Sequence, residues 1–218
     1  MNHRILDPIR RSPEYAGIQD AIRRGGGEPL SVFGMPEISK IPLVITTYLE
    51  QKRPMFLICP NDYMAQRLYA AMSPVLPGET YFLPARAFSF TRAVDSREQR
   101  ALRIQALTAL AGGEPCLVLA GVDGARACLS PRSVFCKSQI TVHKGDTLAM
   151  DDLIRRLVQG GYHREEAVSA LGEFSLRGGI LDVCTPMGAY RLDFFGDEVD
   201  SIKTMDPMSQ RSLAPICV

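Results

Sequence analysis

Between Gly172 and Ser212 the chain reads GEFSLRGGILDVCTPMGAYRLDFFGDEVDSIKTMDPMSQRS, and its hydrophobic residues alternate with a period of two. Leu181, Val183, Leu192 and Phe194 fall on one side, whereas Asp182, Arg191 and Asp193 fall on the other. Only extended strands keep such residues on separate faces, so the stretch must be sheet with one face buried and one charged. Gly178-Gly179, Pro186-Met187-Gly188 and Gly196-Asp197 interrupt the alternation with residues that suit tight turns. These features predict an antiparallel meander.

Upstream the period changes. Short apolar runs at Leu30 to Phe33, Met55 to Cys59, Thr80 to Leu83 and Cys116 to Ala120 alternate with amphipathic segments at Pro42 to Gln51, Asp62 to Met72 and Arg97 to Ala111. A further short helix is expected over Glu14 to Arg24. Strand-helix alternation of this kind predicts a parallel sheet flanked by helices. Ser96 with Gln99 three residues on forms a capping box at the start of the third segment, whose row Arg97, Arg100, Arg103 is expected to be a solvated face. Val134 to Val142 reads as a strand and Ala149 to Gln159 as a helix. The fold class is α/β: a degenerate P-loop-type parallel sheet in residues 1–127, then a small α+β domain with the meander in residues 128–218.

RGGILDVCTP followed by RLDFFGDEVDSIKTMDPMSQRS closely resembles the second domain of the Mfd family of bacterial transcription-repair coupling factors. More distantly, it is similar to the matching domain of the excision nuclease subunit UvrB. The resemblance implies that the chain is the amino-terminal part of a longer protein, that its meander docks onto UvrA, and that a distant carboxy-terminal domain covers that face in the intact protein. It also implies the contact residues: Arg177 just before the turn, then Arg191 and Asp193 in place of an Arg-x-Glu pair on the next strand. Residues 191 and 193 lie two apart on a strand and share a face. One departure is Ser175, where UvrB-like sequences often carry another arginine. RNA polymerase and DNA would be met by other domains, and ATP and magnesium would serve only motor domains outside these residues.

A nucleotide loop would follow the first strand. Gly34 and Lys40 keep the register of G-x-x-x-x-G-K-[ST], but Ser39 replaces the second glycine, Ile41 the magnesium-binding hydroxyl, and Pro36 removes a backbone N–H that could cradle phosphate. A loop that binds no nucleotide is expected, and hence no cofactor. The segment Pro84 to Asp95 is too short for a DNA-clamping hairpin, and its two rings, Phe88 and Phe90 beside Arg92, are expected to be buried against the sheet rather than stack on bases.

With 25 Lys plus Arg against 24 Asp plus Glu, the net charge of +1 gives no electrostatic footprint for nucleic acid or an anionic membrane. The six cysteines have no C-x-x-C spacing, which argues against a zinc site and for a reducing compartment. Without a signal-like or membrane-spanning run, a cytoplasmic protein is expected. The expected function is a non-catalytic adaptor that recruits UvrA. The alternative is the nucleotide-binding part of a UvrB-like helicase, which a working nucleotide loop would mark.

Overall fold

The structure, a computed structural model, describes residues 6–25, 27, 29–86 and 96–216. Contacts divide the chain into two units, residues 1–85 with 112–126, and residues 86–111 with 127–218.

The first unit opens with helices α1 (Asp7–Arg10), α2 (Pro13–Arg24) and α3 (Glu37–Gln51). Ser12 accepts a hydrogen bond from the Tyr15 N–H at the start of α2, and Gly25, at φ 61°, ends it in the left-handed region. Strand β1 (Met55–Cys59), helix α4 (Asp62–Met72) and strand β2 (Thr80–Leu83) follow; strand β3 (Leu117–Gly121) and helix α6 (Val122–Arg126) complete the unit after helix α5 (Arg97–Gly112). The sheet is parallel, in the order β1-β3-β2. Every residue of the central strand LVLAG is buried, as a strand with neighbours on both edges and cover on both faces requires. Asn61 caps α4 by accepting from the Met64 N–H at 2.9 Å. Ala65, Leu68, Tyr69 and Met72 then fall on one side of that helix. Met72 joins Ile45, Tyr48, Leu76, Leu117 and Leu119 in the core, with Leu68 and Tyr69 packed against it.

The second unit contains α5, α7 (Arg132–Ser138), α8 (Met150–Gln159), and strands β4 (His163–Arg164), β5 (Glu173–Arg177), β6 (Ile180–Thr185), β7 (Gly188–Phe195), β8 (Glu198–Asp206) and β9 (Arg211–Pro215). The strands form one sheet in sequential order, antiparallel throughout except for the parallel pair β4 and β5. Leu153 and Leu157 of α8 pack on Phe174, Leu181, Val183 and Leu192, so α8 covers the apolar face that alternation defined.

Three expectations fail locally. Leu30 to Phe33 forms no strand, and Leu30, Val32 and Phe33 are exposed. Residues 132–138 are helical, with Pro131 at the N-cap, where a strand over Val134 to Val142 was expected. Ile140 and Val142 still pack against the core of the second unit, but outside any strand. At Ile140 and Val142 the sequence pattern was therefore right about burial and wrong about the backbone, whereas Val134 is exposed. Finally, the arginine row of α5 is a solvated face only in part: Arg97 and Arg100 are exposed, Arg97 bonding Glu173 at 3.1 Å, whereas Arg103 is only 6% exposed. Ser96 does accept from the Gln99 N–H.

Candidate protein-binding face

The strand register fixes what stands beside what on the charged side of the six-stranded sheet. One row runs across Ser175, Asp182, Arg191 and Lys203, and the next across Arg177, Ile180, Asp193 and Ser201. Two short turns set this alignment. Gly178 takes φ 60°, and a Cβ on Gly179 would meet the Phe194 carbonyl oxygen at 2.8 Å, so the β5-β6 turn closes tightly only with glycine at both positions. The β6-β7 turn is held by the Thr185 hydroxyl, which accepts from the Met187 N–H.

Both arginines expected at the site converge on one carboxylate. Arg191 donates from Nε to Asp182 Oδ1 at 2.6 Å and from Nη2 to Oδ2 at 2.8 Å, a two-pronged pairing. Arg177 Nη2 donates to the same Oδ2 at 2.6 Å. Asp182 is sealed beneath them: its side chain is 1% exposed, against 17% for Arg191 and 49% for Arg177. Burial pushes the Asp182 carboxyl up, but the hydrogen bonds from Arg191 and Arg177 more than reverse this and hold it below the ordinary aspartate value. The hydrogen bond to Asp182 likewise raises the Arg191 guanidinium. Two cations against one anion leave one positive charge over.

Asp193 does not bond to Arg191. It accepts from Lys203 Nζ at 2.7 Å and from the Ser201 hydroxyl at 2.6 Å, a separate neutral pair on the same face. Burial raises the Asp193 carboxyl, and the Lys203 and Ser201 bonds bring it below its usual value.

Ser175, where a further arginine was considered, is 1% exposed and donates its hydroxyl to the Glu166 carbonyl at 2.8 Å. The position lies under the segment before β5, so it presents nothing to a partner. The same segment is pinned by Glu173, whose carboxylate accepts from the Ser169 and Ala170 N–H groups, the Ser169 hydroxyl and Arg97.

Three participants escaped the sequence reading. Asp182 was assigned to the charged face but not to the site, although counting back from the β6-β7 turn places it opposite Arg191. Gln210, in the turn between β8 and β9, has φ 59° and braces both arginines. Its carbonyl accepts from Arg191 Nη2 at 3.3 Å, and its side-chain oxygen accepts from Arg177 Nη2 at 3.5 Å. Nothing in the local sequence announced that contact. Phe195, at the end of β7, is 84% exposed. The Phe194 N–H donates to the Gly179 carbonyl at 2.8 Å, which places Phe195 at the same end of the sheet as the Arg177 turn.

Gly34 and Lys40 are not joined by a phosphate-type loop. Among the described residues no strand precedes Gly34, helix α3 begins at Glu37, and Lys40 lies within its first turn, exposed. Phe88, Phe90 and Arg92 lie outside the described residues. No helix among the described residues is long and apolar enough to cross a membrane.

The family model described as the UvrB interaction domain matches residues 140–217, which include every strand of the six-stranded sheet. The chain is 34% identical over 209 residues to the transcription-repair-coupling factor of Bacillus subtilis, an alignment covering 94% of this chain and 18% of that protein. It is 31% identical over 211 residues to the factor of Staphylococcus haemolyticus, covering 95% of this chain and 18% of the relative. Against the Staphylococcus epidermidis protein the figures are 33% over 190 residues, 86% and 16%. The chain therefore spans less than a fifth of the length of these relatives.

Proposed function

We propose that the chain, similar over most of its length to the transcription-repair-coupling factors, carries in its six-stranded unit a non-catalytic module that docks onto UvrA. The observation that carries this reading is the guanidinium pair of Arg177 and Arg191 set over the buried Asp182. A sheet face intended only for solubility has no need to sink a carboxylate beneath two arginines, because exposed ion pairs add only about 0–1 kcal/mol. An ordered fork with one surplus positive charge, with a bare aromatic ring at the same end of the sheet as the Arg177 turn, suits an acidic surface that also offers apolar contact. Asp193, tied to Lys203, shapes the rim.

In the longer family proteins, this module would bring nucleotide excision repair to RNA polymerase stalled at DNA damage. Polymerase and DNA contacts, and any ATP-driven movement, would belong to other regions, and the setting would be the cytoplasm. The Gly34 to Lys40 segment is part of the same proposal: with a helix beginning at Glu37 and Pro36 before it, it holds no nucleotide. Titration with labelled ATP and magnesium is expected to show no saturable binding, and micromolar affinity would favour the helicase alternative.

Capture of the chain by immobilised UvrA tests the docking reading. Charge reversal at Arg191 is a poor probe, since it would press two acids together around the buried Asp182. Arg177→Ala is the better one, because Arg191 continues to neutralise Asp182. Capture is expected to fall at least tenfold with an unchanged far-ultraviolet spectrum and melting temperature. Phe195→Ala, at a position without a core role, should weaken capture several-fold. Undiminished capture by both variants would remove the assignment.

A further inference from the structure

Within the docking reading above, on which this inference rests, the least exposed polar group of the face invites a role. Asp182 points to the side of the sheet where charge ordinarily meets water, yet it lies under two longer side chains with 1% of its own surface exposed. Its oxygens accept three charge-assisted bonds, from Arg191 Nε, Arg191 Nη2 and Arg177 Nη2. An arginine on an open surface samples many rotamers, and docking must freeze them. Here that ordering is already done. The Nε and Nη1 donors of Arg177 are left without partners among the described residues, in a side chain that is half exposed.

A second, independent feature supports the same role. Gln210 adopts a left-handed conformation that residues other than glycine enter at a cost, and such residues persist where their surroundings hold them. The conformation serves the arginines. Its side-chain nitrogen donates to the Val168 and Pro207 carbonyls, both at 2.6 Å, leaving the amide oxygen towards Arg177 and the main-chain carbonyl towards Arg191. The turn itself is fixed by Asp206, which accepts from the Met208 and Ser209 N–H groups and the Ser209 hydroxyl.

We propose that Asp182 and Gln210 are positioning residues of the docking face: they touch no partner themselves, but hold Arg177 and Arg191 in one fixed fork that matches carboxylates on the opposing surface. The fork, rather than the amount of positive charge, then determines affinity.

The two readings of the arginines predict opposite signs. Asp182→Asn keeps the shape, removes the negative charge and raises the local surplus from one positive charge to two. If the arginines acted as unplaced charges, an acidic partner would be bound more tightly and with steeper salt dependence. Positioning predicts the reverse. Measured by biolayer interferometry against purified UvrA at two salt concentrations, the Kd should rise at least tenfold, through faster dissociation and with no slowing of association. Gln210→Gly leaves every charge in place and relieves the left-handed strain. Its melting temperature should stay within a few degrees of the parent while its Kd rises several-fold, and it carries the test should Asp182→Asn fail to fold. If Arg177→Ala loses capture while folded Asp182→Asn or Gln210→Gly binds as tightly as the parent or more so, positioning is overturned and the docking face stands. If Arg177→Ala also binds normally, the docking reading falls and takes this inference with it.

Discussion

Glu173 is another carboxylate whose environment departs from that of a surface acid. Burial raises its carboxyl, but the Ser169 and Ala170 N–H groups, the Ser169 hydroxyl and Arg97 together bring it down from 4.5 to about 2. A folded value below the unfolded one means that this carboxylate stabilises the fold fully above about pH 4.5 and loses that contribution as the pH falls towards about 2. Urea midpoints measured between pH 5 and pH 2.5 should therefore drop more steeply for the parent than for Glu173→Gln, which has no charge to lose. Parallel slopes would show that the segment before β5 is held by something else. Among single residues, resemblance pointed to Arg177, Arg191 and Asp193, and parity placed Asp182 on the same face of the sheet. It could not expose Gln210, because a bond between residues 33 apart in sequence depends on how the β8-β9 turn folds back over the sheet.

Elements were legible wherever a local signal and a burial pattern agreed. Asp62–Met72 is helical over the range its periodicity predicts, with Asn61 supplying the cap, and the meander follows its turns. Substituting Asn61 with Ala leaves the Met64 N–H without its acceptor and should cost about 1 kcal/mol in chemical denaturation, provided no water replaces it. An effect below about 0.3 kcal/mol would show that the cap bond contributes little. Elements were misread where the two signals conflict. Val134 to Val142 is apolar and partly β-branched, but Pro131 can open a helix, and residues 139–142 pair with no strand among the described residues. Leu30 to Phe33 has the composition of a strand and likewise lacks a ladder partner among the described residues. Strand formation needs an edge to join, and a single sequence does not show which edges are free.

At the scale of the whole molecule, the two hydrophobic clusters share no residue. One is centred on Tyr48, Met72, Leu117 and Leu119, the other on Phe174, Leu181 and Leu192. Separate cores favour separate cooperative transitions. Met72→Ala, at a fully buried site, should cost about 2–5 kcal/mol in the first unit, and Phe174→Ala about 3–5 kcal/mol in the second. In scanning calorimetry each is expected to move one transition and leave the other; a single peak displaced equally by both would show that the units melt as one. The change of period near residue 128 pointed to two domains, and contacts divide the chain into two units of different bounds. That α5 lies with the second unit was not legible, since its ties are long-range: Arg97 to Glu173, Gln105 to the Pro186 carbonyl, and Ala111 as acceptor for Arg132.

The carboxylate shared by two guanidinium groups also constrains how this surface can drift over generations. A lineage that first loses Arg191 inherits a nearly bare negative charge in the body of the sheet, and one that first loses Asp182 inherits two unmoored cations at adjoining positions. Either intermediate is penalised before any compensating change can arrive. Positions 177, 182 and 191 should accordingly behave as one heritable block, kept together or discarded together among descendants of this chain.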